Sequence, residues 1–222
     1  MKVQWKKTII LLVVMTIVLT FSGCGVTSNF NEPNSQAETA DPSTMEEIDL
    51  NAMLHGEEGY YYKDLKWGLM EEEIEAVLGY DIGRAEVMAN GKAIRYNPTI
   101  RYKMGDQIPT SVELICGKDG KLAQVAFQFE RRNADDNLEA FQAQLMEQLT
   151  VIYGPQTSTD EDSQEVGEVT MKTVTNKWEK ALANGNVTSL QVATAATGEK
   201  YDVVVLGVTC YNPEDLSEEA VE

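Results

Sequence analysis

Apolar residues fall into three kinds of spacing along this chain, and each predicts a different element. Residues 8–21 are a continuous apolar run of fourteen positions. Met70, Ile74, Val77 and Leu78 then recur at i, i+4, i+7 and i+8, which is one face of a helix. Glu71, Glu72 and Glu73 suit its positive N-terminal end, and Gly79 suits the left-handed residue past its C-terminus, so a helix is predicted within 66–79. Leu138, Phe141, Leu145, Leu149 and Ile152 step by three and four and predict a second helix over 134–153. Asp135 and Asp136 lead it, and Gly154-Pro155 stops it.

The third spacing is two. Val125, Phe127 and Phe129 alternate with Gln124, Ala126 and Gln128, giving one buried and one mostly wet strand face. Strands are predicted at 92–96, 99–104, 111–116 and 121–130, and again at 168–178, 186–194 and 201–211. Gly117-Lys118-Asp119-Gly120, Asn184-Gly185 and Gly198-Glu199 supply the turns. Val203, Val205 and Val208 read as inward positions, with Gly207 shifting the register between them. The order is helix then strands, twice. That predicts an α+β domain over 60–213, built as tandem helix-plus-antiparallel-meander units with the helices packed on one face of the sheet. The units would span about 60–131 and 132–213, followed by an acidic tail at 214–222.

Before this domain the chain changes character twice. Residues 1–7 hold Lys2, Lys6 and Lys7 ahead of the fourteen-residue apolar run. That run has the length of a signal-peptide core, whereas a membrane-spanning helix needs about 20 residues. Small Ser22 and Gly23 precede Cys24, so residues 1–23 are expected to be a removable signal peptide. Residues 24–59 are rich in Asn, Ser, Glu, Thr and Pro, with sparse apolar positions and no period, and read as a flexible tether. Ser43 or Thr44 followed by Glu46 and Glu47 has the form of a capping box and predicts one short helix over 45–54. His55, the only histidine, is expected to lie exposed and idle in this tether.

Charge narrows the function classes. The net charge is −18, and three of the eighteen basic residues lie in the first 23, which hold no acid. The remainder sets 15 basic against 36 acidic residues. Such a chain repels nucleic-acid phosphates and anionic lipid surfaces alike, so a covalent tie would have to hold it at a bilayer.

Phe21-Ser22-Gly23-Cys24 resembles a lipobox, the cleavage and lipidation signal of bacterial lipoproteins. The resemblance implies cleavage between Gly23 and Cys24 and lipid attachment on the Cys24 thiol. Two palmitate-type acyl chains hold a protein stably where one is marginal. The implied address is the extracytoplasmic side of a cell membrane, with the bilayer as a partner through Cys24. Trp67-Gly68-Leu69-Met70 with Ile74 and Leu78-Gly79 is similar to the opening helix of small lipoproteins of the SmpA/OmlA (BamE) type and of β-lactamase inhibitor proteins. Leu145, Leu149, Tyr153-Gly154-Pro155 and Trp178 look like the second half of such inhibitor-like lipoproteins. That likeness implies a sandwich presenting surfaces to other proteins, without naming a target.

The candidate chemistry is thin. Cys116 and Cys210 both fall near strand ends; outside the cell they form either a disulfide, which needs adjacent strands, or two free thiols. The acidic run at 160–165 offers calcium-type oxygens but has Glu165 where a calcium loop needs Gly, and otherwise reads as a solvated loop. Tyr60, Tyr61 and Tyr62 are expected to seal the core where the helix begins, with at least one ring left outside; the other reading is an exposed edge that grips a partner or a glycan. Trp178 reads as core. No phosphate loop, nucleophile elbow or zinc-protease helix occurs, so no catalytic residue, metal or cofactor is assigned. The expectation is a protein-binding or envelope-assembly module whose partner is an envelope protein, with no nucleic acid involved. The alternative is an envelope glycan or peptidoglycan hydrolase working through Asp and Glu.

Overall fold

The alternation at 124–129 sets the architecture. A computed structural model describes residues 39–88, 91, 93–166 and 169–213. Its strands are β1 (Glu46–Glu47), β2 (Glu86–Val87), β3 (Ala93–Tyr96), β4 (Tyr102–Lys103), β5 (Ser111–Gly117), β6 (Leu122–Glu130), β7 (Ser158–Val166), β8 (Val169–Ala181), β9 (Val187–Ala196) and β10 (Val203–Tyr211). Eight of them make one antiparallel sheet in the order β2-β3-β5-β6-β10-β9-β8-β7. The other two, β1 and β4, pair in parallel beside it. Two α-helices, α1 (Glu71–Leu78) and α2 (Leu138–Tyr153), and three short 3-10 turns, at Pro42–Thr44, Leu50–Ala52 and Gly56–Glu58, are the helical elements among the described residues. The protein is thus mixed helix and sheet, with sheet dominant.

Local chemistry places these elements. At the head of α1 the Glu73 carboxylate accepts the Met70 N–H at 2.8 Å, and Gly79 closes the helix at φ 74°. Asn137 caps α2 by accepting the Ala140 N–H at 3.0 Å. The β8–β9 turn uses Gly185 at φ 88°, and the Asn184 side chain accepts the Asn186 N–H at 3.1 Å.

One face of the sheet carries the main core. Val125, Phe127 and Phe129 of β6 lie there with Leu114 of β5, Leu206 of β10, Val192 of β9 and Trp178 of β8. Ile74 of α1 and Leu138, Leu145 and Leu149 of α2 join the same cluster. Trp178 is buried, and its indole N–H donates to the Gly154 carbonyl at 2.9 Å, fixing the end of α2 to β8. Ala126, Met171, Ala193, Ala195, Val203 and Val205 form a second, smaller cluster on the opposite face.

Arg131, just past β6, locks α2 to the sheet. Its Nε donates to the Tyr201 carbonyl at 2.8 Å and its Nη1 to the Asp136 carbonyl. Nη2 reaches both oxygens of Glu139 at 2.8 and 3.1 Å. Glu139 in turn accepts the Tyr201 N–H at 2.5 Å.

Four expectations need correction. The tether does not run to 59: Met45, Ile48, Leu50 and Met53 are all buried in the main core. Few and without period, they still bury one by one because the segment is laid along β4 and α2. The short helix expected over 45–54 is instead β1 followed by a single 3-10 turn at Leu50–Ala52, capped by Asp49 accepting the Asn51 N–H at 2.9 Å. The acidic run at 160–165 is part of β7, an edge strand where charged side chains are tolerated. Gly207 shifts nothing. The β10–β6 register passes through it unbroken, so Val208 faces the helices and Val203 and Val205 the other side. The expected leader, the Gly23–Cys24 cleavage position, the Cys24 lipid site and the tail at 214–222 lie outside the described residues.

Candidate functional site

A large concavity forms where α2 meets the segment before the domain. Its three walls come from distant parts of the chain. Asn137, Ala140, Phe141, Gln144, Glu147, Gln148 and Val151 recur at three- and four-residue steps, one stripe along α2. Glu47 to Asn51 supply the facing wall, and the turn from Met104 to Gln107 the third.

Each wall is pinned by polar contacts. The Tyr153 hydroxyl donates to the Leu50 carbonyl and accepts the Met53 N–H at 3.2 Å, binding the facing wall to the end of α2. The Ile48 N–H donates to the Lys103 carbonyl at 2.8 Å. Met104 and Gln107 exchange both backbone bonds, at 2.8 and 3.0 Å, and the Glu47 carboxylate accepts the Gly105 N–H at 2.5 Å. The groove is therefore preformed, and it encloses about 1060 Å³. That is the upper end of the size range for ligand pockets, which run to roughly 1,000 Å³.

Its lining has a clear chemical sense. The floor is apolar: Ile48, Leu50, Met104 and Leu145 are buried, and Phe141 and Ile152 are half-buried. Val151 stands 81% exposed beside them, the most exposed large apolar side chain among the described residues. Around this floor stand four exposed carboxylates, Glu47, Asp49, Asp106 and Glu147, and five amides. Among the described residues, no lysine, arginine or histidine lines the groove. The acids do not converge, since no cluster of three or more His, Cys, Asp or Glu able to hold a metal occurs among the described residues.

The carboxylate held nearest to neutral lies elsewhere. Burial pushes Glu113 of β5 up to about 7, against the opposing pull of the Arg95 guanidinium 3.5 Å away, with Glu86 and Glu130 adding to the rise. It sits on the face of β5 opposite Val112 and Leu114 and takes no part in the groove. On the same sheet, Lys177 of β8 is buried against Asp160 of β7 at 2.7 Å. That pair uses one acid of the 160–165 run.

The residues singled out from the sequence are not brought together. Tyr60, Tyr61 and Tyr62 are all buried, so none of the three is left outside to contact a partner. Tyr62 packs edge-on against Tyr102 and Phe127 at 5.5 and 5.0 Å, and Tyr60 against Tyr153 at 5.7 Å. Tyr61 is covered by His55, stacked at 3.6 Å and 8°, and its hydroxyl donates to Glu58. His55 is consequently half-buried and structural, not exposed and idle, with Nε2 3.2 Å from the Tyr61 carbonyl.

Cys116 and Cys210 are both free thiols, and burial pushes Cys116 up to about 11. They sit on β5 and β10 with β6 between them. Two strand spacings of about 4.8 Å put their α-carbons beyond the roughly 7 Å a disulfide spans. The groove itself escaped the sequence because its acids come from three separate segments. The legible signals were the polar stripe of α2 and Val151, an apolar residue off the buried stripe of its own helix.

No protein family, curated protein or solved structure matches the chain in comparison with known proteins.

Proposed function

We propose that this chain is a lipid-anchored, extracytoplasmic lipoprotein whose domain binds an envelope protein through the groove between α2 and the segment at 47–51. The observation that carries the binding reading is the groove itself: preformed walls, an apolar floor with Val151 exposed, and a polar rim, which together make a docking site in need of no moving part. The address rests on the sequence. No helix among the described residues is long and apolar enough to cross a membrane. A chain this acidic is pushed away from anionic lipid, so acyl chains on Cys24 are the means that fits.

We also read the sheet as two helix-plus-meander units, α1 with β2, β3, β5 and β6 and α2 with β7–β10, whose last strands meet as β6 and β10. Helices from both units then share one face, in keeping with the likeness to BamE-type and inhibitor-type lipoproteins. The hydrolase alternative has less support, since Glu113, the carboxyl that burial raises, lies apart from the groove.

Two measurements test the proposal. The intact mass of the membrane-extracted protein should lack residues 1–23 and carry added acyl mass, and Cys24→Ser should abolish both changes. A photo-crosslinking residue at position 151 should capture an envelope protein in living cells, while the same residue at exposed Glu72 on α1 should not. Unprocessed protein, or equal capture at both positions, would refute the respective half.

A further inference from the structure

We infer that the groove takes a cationic, amphipathic segment of a partner polypeptide. Resting on the binding role proposed above, this assigns the chemistry of what is bound. Four exposed carboxylates stand round the apolar floor, and among the described residues no basic side chain lines the groove with them. An occupant without positive charge would leave that rim repelling itself, whereas lysine or arginine on the occupant would neutralise it. The carboxylates do not gather into a metal-holding cluster, so the matching charges must be spread along the occupant. Length supports the same choice. The stripe from Asn137 to Val151 runs about 21 Å along α2 at 1.5 Å per residue. A helix of about four turns or a strand of about six residues spans that distance, and a small organic cation does not. Val151 and half-buried Phe141 and Ile152 ask for apolar side chains on the same occupant.

The chain's own segments beyond the described residues do not meet these demands after processing. Neither 24–38 nor 214–222 contains a lysine or arginine. The basic stretch at 2–7 is the exception, and it leaves with the leader in the proposed processing. These segments therefore do not supply the positive charge the groove asks for, which a basic segment of a partner would. The strongly negative protein would also draw a basic segment in from a distance, with an on-rate that falls as salt rises.

The test uses the full protein as extracted from cells, held in nanodiscs of zwitterionic lipid, with empty nanodiscs as the blank. The probe is a labelled fourteen-residue peptide with Leu and Lys at helical spacing; a Glu-for-Lys version and spermine are compared with it. The Lys peptide should bind in a salt-dependent way. Reversing Asp106 and Glu147 together (D106K with E147K) should weaken it about tenfold, and Val151→Asp should weaken it at unchanged rim sign. Glu72→Lys, a like charge change on α1, should leave affinity unaltered. Spermine binding as tightly as the peptide would overturn the inference in favour of a small-cation site. So would tight binding of the Glu peptide, absence of Lys-peptide binding, or equal weakening by Glu72→Lys. A crosslink at position 151 to a neutral or acidic partner segment would leave the docking role standing and defeat this assignment alone. Absence of any crosslink there would defeat the docking role itself.

Discussion

Arg131→Ala is the substitution whose cost follows most directly from the geometry. The guanidinium is 15% exposed and makes contacts with two backbone carbonyls and with both oxygens of Glu139. Removing it leaves the Tyr201 and Asp136 carbonyls without a charged donor. A hydrogen bond from a charged group contributes roughly 1.5–3 kcal/mol when sheltered. Glu139 is 38% exposed, so water replaces much of what its half of the fork provided, and that part counts for about 1 kcal/mol or less. Taking about 1 kcal/mol for each carbonyl bond, at the lower side because the site is not fully sealed, the total is roughly 3 kcal/mol. At this domain size each kcal/mol moves Tm by about 2–4 °C, so the expected fall is about 6–12 °C. Arg131→Lys keeps the charge but not the planar fork, and should recover less than half of the loss. Thermal and urea unfolding followed by circular dichroism would measure both variants. A Tm for Arg131→Ala within about 1 °C of the parent would show that α2 is held to the sheet by packing alone. Full rescue by lysine would show that charge and not geometry matters.

Three further outcomes are expected. Glu113 holds its proton to about pH 7 in the fold but only to about 4.5 when unfolded, so its contribution is complete below about 4.5 and is lost as pH rises through 7. Urea midpoints of the parent should therefore decline by the equivalent of roughly 3 kcal/mol over that window, Glu113→Gln should flatten the decline, and identical profiles would refute the assignment. Gly59 has φ 80°, and a β-carbon there would lie 2.1 Å from Thr188 Oγ1, which accepts the Tyr60 N–H at 3.0 Å. Gly59→Ala should cost about 2–3 kcal/mol in unfolding free energy, and a change below about 0.5 would contradict the close approach. Alkylation of the unfolded, unreduced protein should label both Cys116 and Cys210, with Cys116 labelling slowly in the native state; peptide masses showing neither labelled would reveal a bridge.

Much of the fold could be read from spacing, and the failures share a cause. The Leu138-to-Ile152 period marks a helix that buries one face, so periodicity reported it faithfully; the Val125–Phe129 alternation located β6 but not its burial, since Gln124, Ala126 and Gln128, expected to be mostly wet, are buried on the second face. The strand at 158–166 was invisible because an edge strand of Asp, Glu, Ser and Thr has no apolar alternation; it is held by β8, whose own pattern is legible. Residues 45–53 were misread for a related reason. Met45, Ile48, Leu50 and Met53 bury through irregular backbone, and irregular backbone leaves no period. Of the site, the sequence offered only the polar stripe of α2 and Val151. The carboxylates at 47, 49 and 106 meet 147 through tertiary packing that no local pattern encodes.

The sheet's strand order has a consequence for biogenesis. The last strand among the described residues, β10, is not added at an edge but inserted between β6 and β9. A nascent chain emerging N-terminus first, from a ribosome or a translocation pore, must leave that central slot empty until residue 211 has cleared the exit. Fragments stopping short of 203 carry two open strand edges flanking a gap, so early truncation should yield sticky, protease-sensitive material and not a smaller stable protein. Closure of the sheet thereby waits for residue 211 to emerge, and the strands made earlier stay unsealed until then.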